Sequence, residues 1–564
     1  MKRLYAIGID FGTSNSCICQ ACYIRGDDGA LDPTPLKRPE PVIINGSDTV
    51  PSAVFLGTED EAPVYGGIAE EKSLFYPELT CVNFKMQLGA AGEDGKQAFE
   101  QTRDFLRFLK EELGKTVPFD AGEDEAEFAT CIGHPVQWSA EQRRLTLQAA
   151  VEAGFPNAAI EDETSAALYS HLCESSLLLE PENSARILVI DMGGGTTDFA
   201  FVEVPSEIEK APMATPLDPS RIVTPWEKDQ HTYGGRDLDQ ILLKHIATPW
   251  GYCSRSREWA FLLRETRRFK EQFSRAMTAG KKEYRANWMI DGLAREVKLS
   301  RKDFEQLARP YINHLPRLIE GALSIEGIRP EQVTAIILTG GSSRWYWVED
   351  AIKKVLPHIN QERETLIRRP DPEQSVARGL AYRWMIETLG GRPRPRRRAA
   401  HGIWIASPEP AAETAATLPP SIPSGIPIPL GTPEDPLVVM DRGQLLPFHT
   451  PGPARLVIQK MDVDVSRASL RLKLYTGSSK AARYELLDQV ATFDRSFWES
   501  LLKKISKVLP WSTSFDNDQY DIEVLCAVDE NELFTGKVTI TRYYRGRPAQ
   551  QQIQMLQMES QANA

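Results

Sequence analysis

The chain has 564 residues, 41% of them hydrophobic and 26% charged, with a net charge of −12. That length exceeds what one hydrophobic core supports and predicts two or more domains. The acidic balance argues against general nucleic-acid binding, and no apolar run approaches the length of a transmembrane helix. The eight cysteines are too irregularly spaced for a disulfide or zinc framework. Cys17, Cys19 and Cys22 fall in a predicted strand and read as core filling. The opening Met1-Lys-Arg-Leu-Tyr5 mimics the start of a secretion signal, but Asp10 interrupts the apolar segment and no small-residue cleavage site follows. A cytoplasmic enzyme or binding protein is the expectation.

The first predicted element is a buried strand, Leu4-Tyr-Ala-Ile7, which delivers Asp10 to a tight turn of Gly12, Thr13, Ser14 and Asn15. Cys17-Ile-Cys19 is the returning strand. Small and hydroxylated residues at such a tip let backbone N–H groups and hydroxyls converge on a phosphate, and Asp10 at the strand end suits a hydrated metal cation. Short strands follow at 41–44 and 53–56, and apolar spacing predicts a helix over 98–113. An acidic loop, 120–127, precedes a strand at 128–132. The chain then runs through Gly133-His-Pro135 into a helix starting at Ser139. Ala158-Ala-Ile160 leading into Glu163-Thr-Ser-Ala-Ala-Leu168 is a second strand-to-helix passage.

The opening pattern then repeats about 180 residues later. Ile187-Leu-Val-Ile190 ends in Asp191, followed by Gly193, Gly194, Gly195, Thr196, Thr197 and Asp198 and a returning strand, Phe199-Ala-Phe-Val202. Two such turns facing one another would clasp a nucleotide phosphate and its metal from both sides. A third site ends the strand 334–338: Gly340 and Gly341 let the backbone approach a flat ligand, and Arg344 can stack on a base. A helix is expected at 348–355, and Asp371 to Gly379 opens another that runs to about residue 389. The run Gly390-Gly-Arg-Pro-Arg-Pro-Arg-Arg-Arg398 marks a boundary and reads as a solvated linker. Residues 407–436 are Pro- and Ala-rich and read as a long loop. Beyond it the pattern is all β, at 437–440, 454–459, 469–475, 520–528 and 537–544, with one helical segment at 497–508.

Five stretches carry a family resemblance: Ile9-Asp-Phe-Gly-Thr-Ser-Asn-Ser16, Asp191-Met-Gly-Gly-Gly-Thr-Thr-Asp198, Gly234-Gly-Arg-Asp-Leu-Asp239, Leu338-Thr-Gly-Gly-Ser-Ser-Arg344 and Pro372-Glu-Gln-Ser-Val-Ala-Arg-Gly379. In this order they resemble the nucleotide-binding domain of the 70-kDa heat-shock (DnaK-type) chaperones, within the actin and hexokinase ATPase superfamily. Residues after about 400 resemble, more weakly, the peptide-binding β-sandwich of that family. The resemblance implies ATP or ADP with Mg as ligands. Asp10 and Asp191 would hold the metal through water, as expected for a cation that dehydrates reluctantly. Thr13, Ser14 and Asn15, with Gly12 in the same turn, would wrap the phosphates opposite Gly193 to Gly195, with Thr196 at the terminal phosphate. Lys85 takes the place of a lysine that offsets charge on the transferred phosphoryl group. The water-positioning carboxylate is Glu163, or Asp162 if one residue is dropped upstream, and Asp198 is a further carboxylate near the metal. Gly235, Lys270, Ser274, Gly340, Gly341, Ser342, Arg344 and Glu373 match the adenosine positions. Pro135 and Arg143 match a pair that communicates with the second domain.

The chain also departs from the family. Thr164 replaces a proline, Glu373 replaces an aspartate, and Arg267 and Glu271 exchange the charges usual at those positions. The turn at 205–230 is longer, the short apolar linker is replaced by arginines, and a helical lid is not expected. The expected fold is α/β: a duplicated actin-like (ribonuclease H-like) ATPase domain in two lobes at 1–390, an Arg- and Pro-rich segment at 391–436, an all-β sandwich at 437–545 and a polar tail at 546–564. The expected function is ATP hydrolysis controlling the binding of unfolded or extended polypeptide, with co-chaperones as possible partners and no membrane span. The alternative is a nucleotide-gated scaffold for one dedicated client protein. A small-molecule kinase or an actin-like filament would leave the β region unexplained.

Overall fold

The computed structural model describes residues 2–388, apart from 27–31, 33–35, 120, 123–124, 137, 175–184, 205–220, 224–232, 254–257, 291, 326, 360–364 and 369–370. It also describes strand segments between 402 and 557. The chain divides into two compact units, Met1–Pro395 and Arg396–Ala564. Among the described residues no helix is long and apolar enough to cross a membrane.

The first unit opens with β1 (Lys2–Asp10), β2 (Asn15–Arg25), β3 (Lys37–Pro41) and β4 (Val50–Pro51). A small sheet of β5 (Ala53–Phe55), β6 (Val64–Tyr65) and β7 (Thr80–Val82) follows, with α1 (Gly66–Lys72) packed against β5. Then come α2 (Glu93–Leu113), β8 (Ala126–His134), α3 (Ala140–Glu152), β9 (Ala158–Asp162) and α4 (Glu163–Glu174). The second half begins with β10 (Ala185–Met192), β11 (Thr197–Val204) and β12 (Arg221–Val223). It continues with α5 (Gly235–Ala247), α6 (Trp259–Thr278) and the hairpin β13 (Glu283–Ile290) and β14 (Leu293–Ser300). After α7 (Arg301–Leu307), α8 (Arg309–Ile312) and α9 (His314–Ile325) it closes with β15 (Ala335–Thr339), α10 (Val348–Lys353), β16 (Leu366–Arg368) and α11 (Ser375–Thr388).

The main sheets have matching strand orders, β3-β2-β1-β8-β9 and β12-β11-β10-β15-β16. In each, the first three strands pair antiparallel and the last three parallel. The two Asp–Gly/Thr turns are therefore copies in topology as well as in sequence. Ile7, Ile9 and Ile187 to Ile190 are completely buried, which is why these strands read as continuous apolar runs rather than alternating ones. The helices α4 and α11 pack on one another and on both sheets, with Ala166, Ala167, Ile187, Val189, Ile337, Val376 and Leu380 in one cluster. Cys17 and Cys19 pack on Ala377 of α11.

Boundaries shift where charge or capping decides them. The helix expected at 98–113 starts at Glu93, because Glu93 and Asp94 favour the positive end of its dipole. The strand expected at 128 starts at Ala126, and the helix expected at 348–355 ends at Lys353. The helix after Ser139 begins as expected, with Ser139 and Gln142 forming a reciprocal capping box.

In the second unit β17 (Gly402–Ala406), β18 (Leu437–Met440), β21 (Ser469–Gly477) and β22 (Arg483–Thr492) form one antiparallel sheet ordered β18-β17-β21-β22. A second antiparallel sheet holds β19 (Phe448–His449), β20 (Ala454–Ile458), β23 (Asp518–Val528), β24 (Phe534–Tyr544) and β25 (Arg547–Gln557). Two of these strands differ from the expected organisation. β17 lies within the segment read as linker, carried by the apolar run Ile403-Trp-Ile405. β25 occupies the stretch read as a polar tail: its glutamines join the sheet through the backbone ladder to β24, which needs no apolar side chains. The expected helix at 497–508, the Arg392–Arg398 run and the Pro-rich stretch 407–436 lie outside the described residues.

The crossing of α11 over α4 sets a sharp test. A Cβ on Gly379 would collide with the Ala166 carbonyl oxygen. Gly379→Ala is expected to cost about 3 kcal/mol by overpacking, read as a lower urea midpoint for the first unit. An unchanged midpoint would show that the two helices are free to separate.

Candidate functional site

The site begins at the two hairpin turns. The turn after β1 is pinned by Ser52, whose Oγ donates to the Gly12 carbonyl at 2.7 Å and whose N–H donates to the Ser14 carbonyl at 2.9 Å. The turn after β10 is pinned from α5 and from the Gly340 loop. Gly235 N–H and Ser342 Oγ both donate to the Gly193 carbonyl, at 3.1 and 2.9 Å. The turns meet face to face: a Cβ on Gly194 would stand 2.5 Å from Ser14 Oγ, and one on Gly195 would stand 2.9 Å from Thr13 Oγ1. Only glycine allows the turns this close, and the buried Ser14 Oγ has no hydrogen-bond partner among the described residues.

Lys85 sits on a 3-10 turn, Phe84–Gln87, and is buried. Its Nζ pairs with Glu163 Oε1 at 2.8 Å and lies 5.5 Å from the centre of the Phe11 ring and 5.2 Å from that of Trp138. A buried ammonium needs both kinds of partner, a carboxylate and the negative ring faces. Glu163 and Asp162, which the sequence left as alternatives, take different positions. Glu163 lines the cavity on Lys85. Asp162 closes the end of α4, its Oδ1 accepting from Ser165 N–H at 2.7 Å and from Thr164 Oγ1 at 2.6 Å. That is N-cap geometry.

Three aspartates surround this pair. Asp10 is pushed up to about 7 by burial and by the charge of Glu163, with Lys85 pulling partly the other way. Asp198 is also raised to about 7, by burial first and then by Glu163, tempered by a hydrogen bond from Thr196 and by Lys85. Asp191, directly opposite Asp198 in the hairpin register, is held well above the ordinary carboxylate range by burial and by Glu163, Asp10 and Asp198. Carboxylates in this state are short of positive charge. A hard oxygen-donor pair, Asp10 and Asp191, with an unpartnered Asp198 Oδ1 close by, fits Mg²⁺ held through water.

The other end of the cavity is built on α6. Arg264, Arg267, Lys270, Glu271, Ser274 and Arg275 recur at helical spacing along its cavity face. Lys270 Nζ pairs with Asp239 at 2.7 Å and donates to the Gly235 carbonyl at 2.9 Å. The Ser274 hydroxyl is buried and has no hydrogen-bond partner among the described residues. Arg344 pairs with Glu373 at 2.7 Å at the edge of the Gly340-Gly341 loop. Arg267 reaches across to Glu70 of α1 at 3.4 Å, tying the two halves of the unit together.

All of these border one cavity of about 840 Å³. It is lined by Asp10, Gly12, Thr13, Ser14, Asn15, Lys85, Glu163, Asp191, Gly193, Gly194, Gly195, Thr196, Gly235, Lys270, Ser274, Gly340, Gly341, Ser342, Arg344 and Glu373. Of the residues singled out by sequence, Asp162 and Asp198 stand behind the wall. Asp48, Glu70, Arg236, Asp239 and Arg264 also line it and were missed. For Arg264 the signal was present, since stepping back from Lys270 and Ser274 by helical periods leads to it.

The fold is a duplicated α/β domain of the actin-like class, with the cavity lying where its two hairpin turns meet. Residues 111–389 match the family profile described as Hsp70 protein. The chain is 25% identical over 401 residues to a protein named "Chaperone protein DnaK" from Thermosipho melanesiensis, covering 68% of this chain and 60% of that protein. It is also 25% identical over 422 residues to "Chaperone protein dnaK3" from Thermosynechococcus vestitus, covering 66% of this chain and 54% of that one. The chain is thus similar to the Hsp70 family, by the profile over residues 111–389 and by these relatives. It spans about 60% of the length of the first of these relatives.

The placement of Asp162 gives a direct expectation. Asp162→Ala should cost about 1 kcal/mol by loss of the cap, measured by denaturant unfolding of the first unit. No loss would mean that α4 is closed by another group.

Proposed function

We propose that this chain is an ATP-hydrolysing, chaperone-type protein in which nucleotide in the cleft controls polypeptide binding by the C-terminal strands, arranged as a β-sandwich. The observation that carries the reading is the single cavity that unites two opposed phosphate-type turns with the Lys85–Glu163 pair. The Thr13-Ser-Asn15 turn and the Gly193–Thr196 turn hold the β- and γ-phosphates from opposite sides through N–H groups and hydroxyls. Asp10 and Asp191 would hold a hydrated Mg²⁺, which would supply positive charge against the phosphates. Glu163 orients a water in line with the γ-phosphorus, with Asp198 assisting from behind the wall. Attack forms the new P–O bond as the bond to the β–γ bridging oxygen breaks, and Lys85 offsets the charge on the γ-phosphoryl oxygens. Lys270, Ser274, Ser342 and Arg344 position the nucleoside.

Extended polypeptide is the ligand that a sheet edge takes by strand addition. A nucleotide-dependent change in affinity requires that the nucleotide bind the two conformations unequally. Steady-state ATP turnover, with and without unfolded peptides, tests the reading. Lys85→Ala and Glu163→Gln are each expected to lower kcat by roughly 10²-fold or more, while Asp162→Ala keeps turnover within about threefold, because its role is structural. Unfolded peptides should change the turnover rate. Absence of Mg-dependent turnover, or full activity in both Lys85→Ala and Glu163→Gln, would overturn the ATPase reading. Turnover indifferent to every peptide would favour a scaffold for one dedicated client.

A further inference from the structure

The nucleoside half of the cavity carries more positive charge than a neutral nucleoside needs. Arg236, the residue after Gly235, projects from the first turn of α5 and is half-buried in the cavity wall. Its backbone N–H donates to the Gly194 carbonyl at 2.9 Å. Its guanidinium makes no hydrogen bond or ion pair with any described residue, and only the nearby charges of Asp239 and Asp237 favour it. It shares the field of Asp239 with Arg267, whose Nε lies 3.5 Å from that carboxylate, and with Lys270 at 2.7 Å. Burial and the neighbouring Arg267 lower Arg236 to about 10, the direction expected of a cation with too few counter-charges.

The imbalance extends along α6. Arg264 and Arg268 share Glu265, at 3.4 and 3.2 Å, and Arg267 takes Glu70 at 3.4 Å. Five cations (Arg236, Arg264, Arg267, Arg268 and Lys270) thus meet four carboxylates (Asp237, Asp239, Glu70 and Glu265). The excess is one positive charge, and Arg236 is the cation left without an ion pair of its own. The Glu271–Arg275 step further along the helix adds no net charge.

The location specifies the ligand. Arg236 starts beside the Gly193–Gly195 phosphate turn, and Lys270 bridges Gly235 and Asp239. The Gly340-Gly341 loop with Arg344 and Glu373 forms the far end. The cationic group therefore flanks the middle of the cavity, where the ribose of a nucleotide lies between its 5′-phosphates and its base. Arginine there matches a phosphate in planar, two-pronged fashion, with stronger, charge-assisted bonds than a neutral hydroxyl accepts.

We propose that this cavity takes a nucleotide bearing an additional phosphate on its ribose, at the 2′ or 3′ oxygen, with Arg236 as its main contact. The inference rests on the nucleotide reading of the site and narrows its ligand class. It is tested by calorimetric titration of the full chain with ADP, adenosine 3′-phosphate 5′-diphosphate and adenosine 2′-phosphate 5′-diphosphate. One ribose-phosphorylated ligand is expected to bind about tenfold or more tightly than ADP, as charge-assisted contacts to a dianion allow. Arg236→Gln should reduce that preference to within about twofold while leaving ADP affinity within about threefold, so ADP binding also reports that the variant is folded. Arg264→Gln, a second variant on the other wall, should reduce the preference partly. Equal or weaker binding of both ribose-phosphorylated ligands, with ADP still bound, would overturn this inference alone. So would a preference that survives both substitutions together. Failure of ADP itself to bind would overturn the nucleotide site, and this inference with it.

Discussion

The constraint on which the first unit depends is the confinement of four carboxylates around one buried ammonium. Asp10, Asp191 and Asp198 share the field of Glu163, and Lys85 is the cation that offsets them. A buried ion pair is worth little unless its geometry is fixed and its remaining valences are met. Here each partner is fixed by a different part of the fold. Glu163 opens α4 directly after β9, and Lys85 stands on a short 3-10 turn between two aromatic rings. One of those rings, Phe11, belongs to the first phosphate-type turn, so the lysine cannot shift without disturbing that turn. The other, Trp138, has its carbonyl held by the Arg143 guanidinium at 2.7 Å, and its N–H donates to the Pro135 carbonyl at 3.2 Å. The residues matched by resemblance to an interdomain relay are thus one tryptophan away from Lys85.

Raised carboxylates are an unfavourable state for the protein alone and a favourable one for a cation. Desolvation is the first cause for all three aspartates, so charge arriving in the cleft is felt at low dielectric, where it interacts most strongly. The duplicated topology makes this geometry possible. Equivalent strands β1 and β10 each end in an aspartate, and the sheets bring those ends together because α4 and α11 pack between them with small residues at the crossing.

Much of this was legible in the sequence. The paired Asp–Gly/Thr turns, the Gly340-Gly341 loop and the matching buried strands are local patterns of glycines, hydroxyls and apolar runs, and backbone sterics leave such patterns few other uses. What was not legible depends on three-dimensional phase. Lys85 reads as a surface lysine, since nothing in Asn83-Phe-Lys-Met reports the rings that close over it. Asp162 and Glu163 are neighbours at a strand-to-helix junction, where the chain changes periodicity and adjacent side chains diverge. The Lys85 pair with Glu163 and the capping bonds from Thr164 and Ser165 to Asp162 separate their positions. In the second unit, β25 escaped because its glutamine-rich sequence has few of the β-branched and aromatic residues that mark a strand, and it pairs with β24 through the backbone ladder.

The cavity's charge is divided along its length. At the turn end, Asp10, Asp48, Asp191 and Glu163 outnumber Lys85; along α5 and α6, arginines outnumber their carboxylates. A ligand that is anionic at one end only would satisfy the turn end with its metal and leave the arginines of α6 to one another. Arg267 relieves part of that excess by reaching Glu70, so the same cation that lines the α6 end of the cavity also fastens the two halves of the unit. Arg267, one of the positions at which the sequence departs from the family pattern, thus finds a counter-charge across the cleft in Glu70 of α1. Arg236 makes no such ion pair with a described residue and has only the more distant charges of Asp239 and Asp237, and that difference separates a structural ion pair from a cation open to an anionic ligand.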